Sequence, residues 1–440
     1  MISRREKVCY GFGDVANNGM FTFVSAYMMY YCTDVAGFGM AQVSLILFLG
    51  SVANAITSPV MGLLIDRARF RKGCCRPFIM IGMAPSSILL AALFQVPRGW
   101  SFNAVLTGIL YIAFNIAYSF MNVPYSTLLN VISSDERERI SLNLYKNVGA
   151  NISGILVTAC TLVLVNFFHR FFTNGYSGTA IFYALVFFLC VLLSVIGTKE
   201  RVKMARRQKK LSLSELIKTD APWVILCEVQ FLALMCNAIR SQGSIYYAKY
   251  YLGRESMNSI LLTLTSLVCL LIAFFLPIIE RRIGLKRVVI YGDALNFVAM
   301  LFTWMIGTNI FFIVILHIVS SIGWAMATGM TFVILTETVD YAEYKTGERP
   351  QGICTALLAF IQKVGIGIAG YICPIILEAG GYVANRTASK SALMSIRILY
   401  LGFPMVLMVV MILLMSFYRL DKIYPEIKKQ LNERTKKRGI

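Results

Sequence analysis

Charge is scarce in this sequence, and acid is scarcest. Only 15% of its 440 residues are charged, and 22 Asp and Glu stand against 42 Lys and Arg. A soluble globular domain holds about 25% charged and 45–50% apolar residues. With 58% hydrophobic residues and a mean hydropathy of +0.68, this chain falls outside that class. Histidine is nearly missing: His169 and His317 are the two, far apart in the chain. There is no nucleophile elbow and no phosphate-binding loop, so no enzyme is expected. The eleven cysteines lie mostly inside apolar runs, and Cys74 and Cys75 are adjacent in a loop. None has metal or redox spacing, so they read as reduced packing residues, and no metal or cofactor is expected. Short alternating segments are also lacking, which excludes a β-barrel.

What is present is a series of twelve apolar segments, at 9–35, 38–65, 77–97, 103–130, 147–168, 178–198, 221–248, 257–279, 288–307, 310–336, 353–378 and 394–418. Most hold the ~20 residues needed to span hydrocarbon, and the longer ones imply tilt. The pattern is that of an all-α membrane protein. The net charge of +20 does not point to nucleic acid, because its placement follows the loops. Of the 42 Lys and Arg, 33 fall on the side of the two termini and 7 on the other. The positive-inside rule puts both termini in the cytoplasm. "MISRREK" before an apolar run resembles a signal peptide, but polar residues interrupt the run and no small-residue cleavage site follows.

The most basic loop, 199–220, divides the spans six and six. Expected domains are therefore a six-helix half at 1–198, the linker at 199–220, a second half at 221–418, and a basic tail at 419–440 that reads as an amphipathic helix on anionic lipid. Each half has a span ending in an acid and a basic turn, "MGLLIDRARFRKG" and "LPIIERRIGLKR". Such duplication fits a transporter that binds its substrate between the halves.

Polar groups inside spans are expensive and usually face a cavity or a partner. Asp14, Asn17 and Asn18 fall at i, i+3 and i+4, on one face of a helix. Asp14 is a candidate for a coupling cation or a sugar hydroxyl, or else a helix-start acid favoured by the macrodipole. Asn17 and Asn18 can bond sugar hydroxyls or a neighbouring helix. Lys146 serves a site or anchors the cytoplasmic edge. Arg240 serves a site, snorkels outward or pairs with an acid. Lys363 lies about 15 Å into its span, where snorkelling is hard. These cations have few deep acids opposite them, and a substrate carboxylate would supply the missing charge. Tyr27, Tyr30, Tyr31, Tyr118 and Tyr125 can stack on a sugar ring, or form an interfacial belt. Glu337, Asp340 and Glu343 recur every third residue before Lys345 and Arg349, either as a salt-bridge gate or as a solvated turn.

Several motifs carry a family resemblance. Gly62, Asp66, Arg67, Arg71 and Lys72 match "GxxxDRxxxRK", which resembles the cytoplasmic loop motif of the major facilitator superfamily. "YGFGDVANN…YYCTDVAG", "NVPYSTL", "ERISLNLYK" and "ETVDYAEYKTGERPQG…QK" together resemble the glycoside–pentoside–hexuronide:cation symporters over nearly the whole chain. "GDVANN", "TDVAG" and "GYVAN" are most similar to the bacterial glucuronide-carrier branch. The resemblance implies the major facilitator fold, with twelve transmembrane helices in two six-helix halves, in a bacterial inner membrane. Residue chemistry and resemblance together give Asn18, Asn17, Asn122, Tyr118, Arg240, Lys363 and Lys146 as substrate-binding candidates. Asp14, Asn54 and Ser58 become coupling-ion candidates, and Asp66, Arg67, Glu337, Asp340, Glu343 and Arg349 a gate. The melibiose-type branch carries carboxylates at the positions of Asn18, Asn54, Ser58 and Asn122. All four are neutral here, and a sodium site benefits from negative charge. The expectation is import of a glycoside, a hexuronide in preference, with a cation, proton before sodium. The alternatives are a neutral pentoside or β-glycoside permease, a lysolipid transporter of the same fold, and, last, a membrane sensor. Expected partners are a small glycoside, the coupling cation and the lipid bilayer.

Overall fold

The computed structural model describes residues 2–67, 73–96, 102–133, 135–202, 220–347 and 350–437. Of the expected gate, the Asp66 side chain and Arg349 lie outside the described residues, as do Arg71, Lys72 and most of the basic linker. No strand occurs among the described residues.

The helices are α1 (Arg4–Tyr30), α2 (Met40–Arg67), α3 (Arg76–Leu93), α4 (Phe102–Ile132), α5 (Glu136–Phe168) and α6 (Gly175–Gly197). After the linker come α7 (Ala221–Tyr246), α8 (Ser256–Ile283), α9 (Leu285–Ile306), α10 (Ile310–Gly329), α11 (Thr331–Thr346) and α12 (Gln351–Ala379). The series closes with α13 (Lys390–Arg397), α14 (Phe403–Phe417) and α15 (Leu420–Lys437). Among the described residues, eleven elements are long and apolar enough to cross a membrane, with α10–α11 and α13–α14 each counting as one. α1, at 27 residues, is long enough, but Asp14, Asn17 and Asn18 interrupt its apolar run.

Side-chain caps fix several starts. Ser3 accepts from the Glu6 amide at 3.2 Å, Asn174 from Ser177 at 2.8 Å and Ser389 from Ala392 at 3.1 Å. Each satisfies a donor that the first turn would leave bare. Glu6 stands where a capping box would turn it back on Ser3. Instead its carboxylate takes the Lys199 amide at 3.0 Å and both Arg201 guanidinium nitrogens at 2.8 Å. The start of α1 is thereby tied to the start of the linker.

Small residues let helices approach closely, since apolar burial supplies little drive between helices in lipid. A Cβ on Gly11 of α1 would meet the Tyr145 carbonyl of α5 at 2.9 Å, and one on Gly292 of α9 the Gly323 carbonyl of α10 at 2.7 Å. Three single π-turns widen the spans: Tyr31–Val35 after α1, Tyr247–Tyr251 after α7, and Ile398–Gly402 between α13 and α14. Such turns often mark functional sites.

The chain forms two compact units. One is Met1–Arg206, Ala238–Leu267 and Ile366–Tyr400; the other is Arg207–Asn237, Val268–Gly365 and Leu401–Ile440.

Candidate transport site

In the first unit, α1 presents its polar face to α4 and α5. Asn17 is buried; its Nδ2 donates to the Gly13 carbonyl at 2.8 Å, and its own carbonyl accepts from Tyr118 at 3.1 Å. Tyr118 in turn accepts from Asn122 Nδ2 at 2.8 Å, and Ser126 donates to Asn122 Oδ1 at 3.3 Å. Half-buried Asn18 donates to the Ala150 carbonyl of α5 at 2.7 Å. Asp14 lies within electrostatic reach of Lys146 on α5 and of Tyr118 and Tyr125 on α4. The expected acid, amides and tyrosine thus share one neighbourhood.

Asn54 and Ser58 belong to a second cluster, between α2 and α4. Asn54 Nδ2 donates to Asn115 Oδ1 at 3.1 Å, Ser119 donates to Asn54 Oδ1 at 3.1 Å, and Ser58 donates to the Asn54 carbonyl at 2.8 Å. These four side chains are amides and hydroxyls, with no formal charge to offer a hard cation. Half-buried Arg240 places its guanidinium over the Tyr400 ring, 5.8 Å from the centroid. The cation therefore meets an aromatic face.

A heavily bonded carboxylate of this unit is one to which the sequence pattern assigns no role. Asp34, 3% exposed, sits in the π-turn after α1. Its Oδ2 accepts from Thr33 and from Tyr382, both at 2.8 Å. Its Oδ1 accepts from Tyr250 and pairs with the Lys249 ammonium at 3.4 Å. Lys249 also donates to Tyr30 at 2.6 Å and to Asn385 at 3.2 Å, while Asn385 Nδ2 donates to the Asp34 carbonyl at 2.7 Å. Thr33 has already given its proton to Asp34, so the 2.7 Å contact with Tyr246 is donated by the phenol. Asn385 holds φ at 57°, a left-handed geometry that asparagine tolerates better than most residues. A buried carboxylate is stable only when paired and fully bonded. Here one Asp joins the ends of α1 and α7 to the loop after α12.

In the second unit, Lys363 is half-buried on α12, next to a polar chain across the helices. Gln362 donates to Gln230 at 3.0 Å, and Gln230 donates to Thr331 at 2.6 Å. An apolar cavity of about 550 Å³ lies nearby, with Trp223, Phe231, Leu357 and Phe360 in its wall. Glu337 and Asp340 fall inside α11 rather than in a turn after a span ending at 336. They accept from tyrosines at the chain's end, Tyr418 at 3.3 Å and Tyr424 at 2.8 Å. Glu343, on the same helix, is half-buried, and Arg67, in the last turn of α2, is exposed.

A family model described as MFS/sugar transport protein matches residues 9–422. The chain belongs to this sugar-transport family. It is 30% identical to the isoprimeverose transporter of Lactiplantibacillus pentosus, over 99% of this chain and 92% of that one. It is 28% identical to the glucuronide carrier protein homolog of Escherichia coli (strain K12), over 99% of this chain and 97% of that one. Among solved structures, the nucleoside transporter NupG superposes with a TM-score of 0.66 at 12% identity, covering 95% of this chain and 100% of the other. That likeness shows the major facilitator fold. The chain is thus a multi-pass membrane transporter, not an enzyme, and its relatives are sugar and glycoside symporters.

Within this family fold, the structure gathers Asp14, Asn17, Asn18, Tyr118, Asn122 and Lys146 around α1, α4 and α5. It keeps Asn54 and Ser58 in their own cluster and Arg240 on Tyr400. Of the tyrosines expected to stack on sugar, Tyr31 donates its hydroxyl to the Val96 carbonyl at 3.1 Å, and Tyr125 to that of Tyr10 at 2.8 Å. Sequence reasoning missed the Asp34 group. Its signal was the recurrence of span-end polar residues in "TDVAG", "YAKYY" and "GYVAN". It also missed Asp293, a deep acid of α9 that is 2% exposed, whose Oδ2 has no hydrogen-bond partner among the described residues. An ionisable group in such a place is costly to the fold.

Proposed function

We propose that this transporter imports a glycoside across a bacterial inner membrane, with both termini in the cytoplasm, and that its preferred substrate carries a carboxylate, as a hexuronide does. The observation that carries this reading is the charge balance among the polar groups of the spans. Lys146, Arg240 and Lys363 are half-buried cations, of which Lys146 lies within electrostatic reach of Asp14, and Asn17, Asn18, Tyr118 and Asn122 offer neutral hydrogen-bonding groups. An anionic sugar complements that set. The likeness to the glucuronide carrier protein homolog supports it.

Coupling to protons in preference to sodium is supported by the uncharged Asn54–Ser58–Asn115–Ser119 cluster. Asp14 is the titratable candidate for that role. The Asp34 group acts as a latch in alternating access. It forms when its side closes and must break when that side opens. Arg67, Glu337, Asp340 and Glu343 serve the opposite gate, together with Asp66 and Arg349.

A neutral pentoside or β-glycoside is the second reading, favoured by the likeness to the isoprimeverose transporter. The apolar cavity beside Phe231 and Phe360 favours a lysolipid. Thermal unfolding of purified protein with a ligand panel separates the three. A ligand at one hundred times its Kd stabilises by about 2.7 kcal/mol. A glucuronide is expected to raise Tm while an uncharged xyloside and a lysolipid do not. A rise with the xyloside alone transfers the assignment to neutral glycosides.

A further inference from the structure

Beyond the transport site, the second unit holds a cavity of about 690 Å³ where the α8–α9 turn meets the α14–α15 corner. Lys286, Arg287 and Arg419 line it, with Asp421, Ile283 and Tyr418. From this geometry we infer a binding site for the phosphate headgroup of an anionic phospholipid.

Three features build the site. First, the corner is rigid. Lys286 Nζ donates to the Ser416 and Tyr418 carbonyls, at 2.6 and 2.7 Å, and so satisfies acceptors that the end of α14 leaves open. Tyr418 is fully buried and donates to Glu337. The turn on the other side passes through Gly284 at φ 85°, which permits α9 to start immediately after α8. Second, the lining is basic. It holds three cations and one carboxylate, with Glu337 in electrostatic reach of Asp421, and Arg287 and Arg419 are exposed, with forks suited to phosphate oxygens. The N-terminus of α9 lies here too, and the Asp421 carboxylate stands beside its cap residue Gly284, where a ligand phosphate would compete with it. Third, the helix that leads into the corner carries exposed apolar side chains. Leu413 and Phe417, one helical turn apart on α14, are 56% and 66% exposed. A water-soluble phosphate gains nothing from them, whereas acyl chains do. Basic pockets between spans are a common headgroup-binding arrangement.

The test is native mass spectrometry of the full chain in detergent, titrated in parallel with cardiolipin, phosphatidylglycerol and phosphatidylethanolamine, with inorganic phosphate tested separately by thermal shift. The expected result is one retained anionic lipid, bound at least ten-fold tighter than phosphatidylethanolamine. Retention falls ten-fold or more in the R287A/R419A double variant. Asp421→Asn should shift affinity the opposite way, toward tighter binding, which a general loss of fold cannot mimic. Equal retention of all three lipids, or equal retention by parent and double variant, overturns the site. A shift with inorganic phosphate and no lipid preference overturns the lipid and leaves a free-phosphate site.

Discussion

At the scale of single residues, Asp34 and Lys363 carry opposite lessons. Asp34 is buried among four donors, so each donor is worth what a hydrogen bond to a charged group is worth, about 1.5–3 kcal/mol. Tyr382→Phe removes one of them and leaves the ring in place. Its thermal unfolding in detergent should show a loss in that range, while Tyr183→Phe, which leaves Asp34 alone, should show less. Equal losses would mean that the carboxylate is not the centre of the group. Lys363 is half-buried and belongs to the charge balance proposed for the substrate. Lys363→Ala should retain a single monodisperse peak on size-exclusion chromatography and lose uronide uptake by at least ten-fold. Lys363→Arg should fail as well if a compact ammonium is needed. Uptake by Lys363→Ala at the parent rate would make the lysine structural and weaken the case for an anionic sugar.

At the scale of elements, helix contacts and helix starts are the testable parts. α9 and α10 touch backbone to backbone at Gly292 and Gly323, so Gly323→Leu must force them apart. The expected outcome is loss of the monodisperse species on extraction, whereas Gly352→Ala, at a position with open space around it, should behave as the parent does. The start of α7 gives a pH signature. Asp220 is fully buried and caps the helix by accepting from the Trp223 amide at 3.1 Å; burial pushes its carboxyl up to about 7. The folded value exceeds the unfolded one, so its contribution to stability is complete below the unfolded pKa of about 4 and is lost as pH rises towards 7. Asp220→Asn keeps an accepting oxygen and cannot ionise. Its Tm should exceed the parent's at pH 7.5, and the difference should vanish near pH 4. A difference that does not change with pH would sink this explanation of Asp220.

The elements themselves were largely legible in the sequence. Hydropathy located the spans, because a backbone in lipid has no economical alternative to the helix. It placed the end of the tenth span at 336, whereas the helix continues as α11 to Thr346. Its acids are accommodated by Tyr418 and Tyr424, from a tail that no local pattern links to them. The Asp14, Asn17 and Asn18 face was legible for the same reason that spans are, through helical spacing. The Asp34 group was not. Its members come from residues 33–34, 246–250 and 382–385, and each alone reads as an ordinary span end with a lysine or tyrosine at the interface. Only the fold, with a π-turn re-aiming Asp34 and another re-aiming Lys249 and Tyr250, brings them together.

At the scale of the whole molecule, a family fold meets a distribution of charge. The fold and sugar-transport membership rest on a match over residues 9–422. The proposed substrate and ion rest on half-buried cations, neutral amides and the uncharged cluster at Asn54. Uptake into proteoliposomes tests that conjunction most directly. Radiolabelled glucuronide is offered under an imposed inward proton gradient, then under an equal inward sodium gradient, with an uncharged xyloside as competitor. Glucuronide should accumulate under the proton gradient, and the accumulation should be abolished by a protonophore, indifferent to sodium and resistant to excess xyloside. Accumulation driven by sodium alone, or xyloside taken up while glucuronide is excluded, would contradict the assignment of an anionic sugar moved with protons.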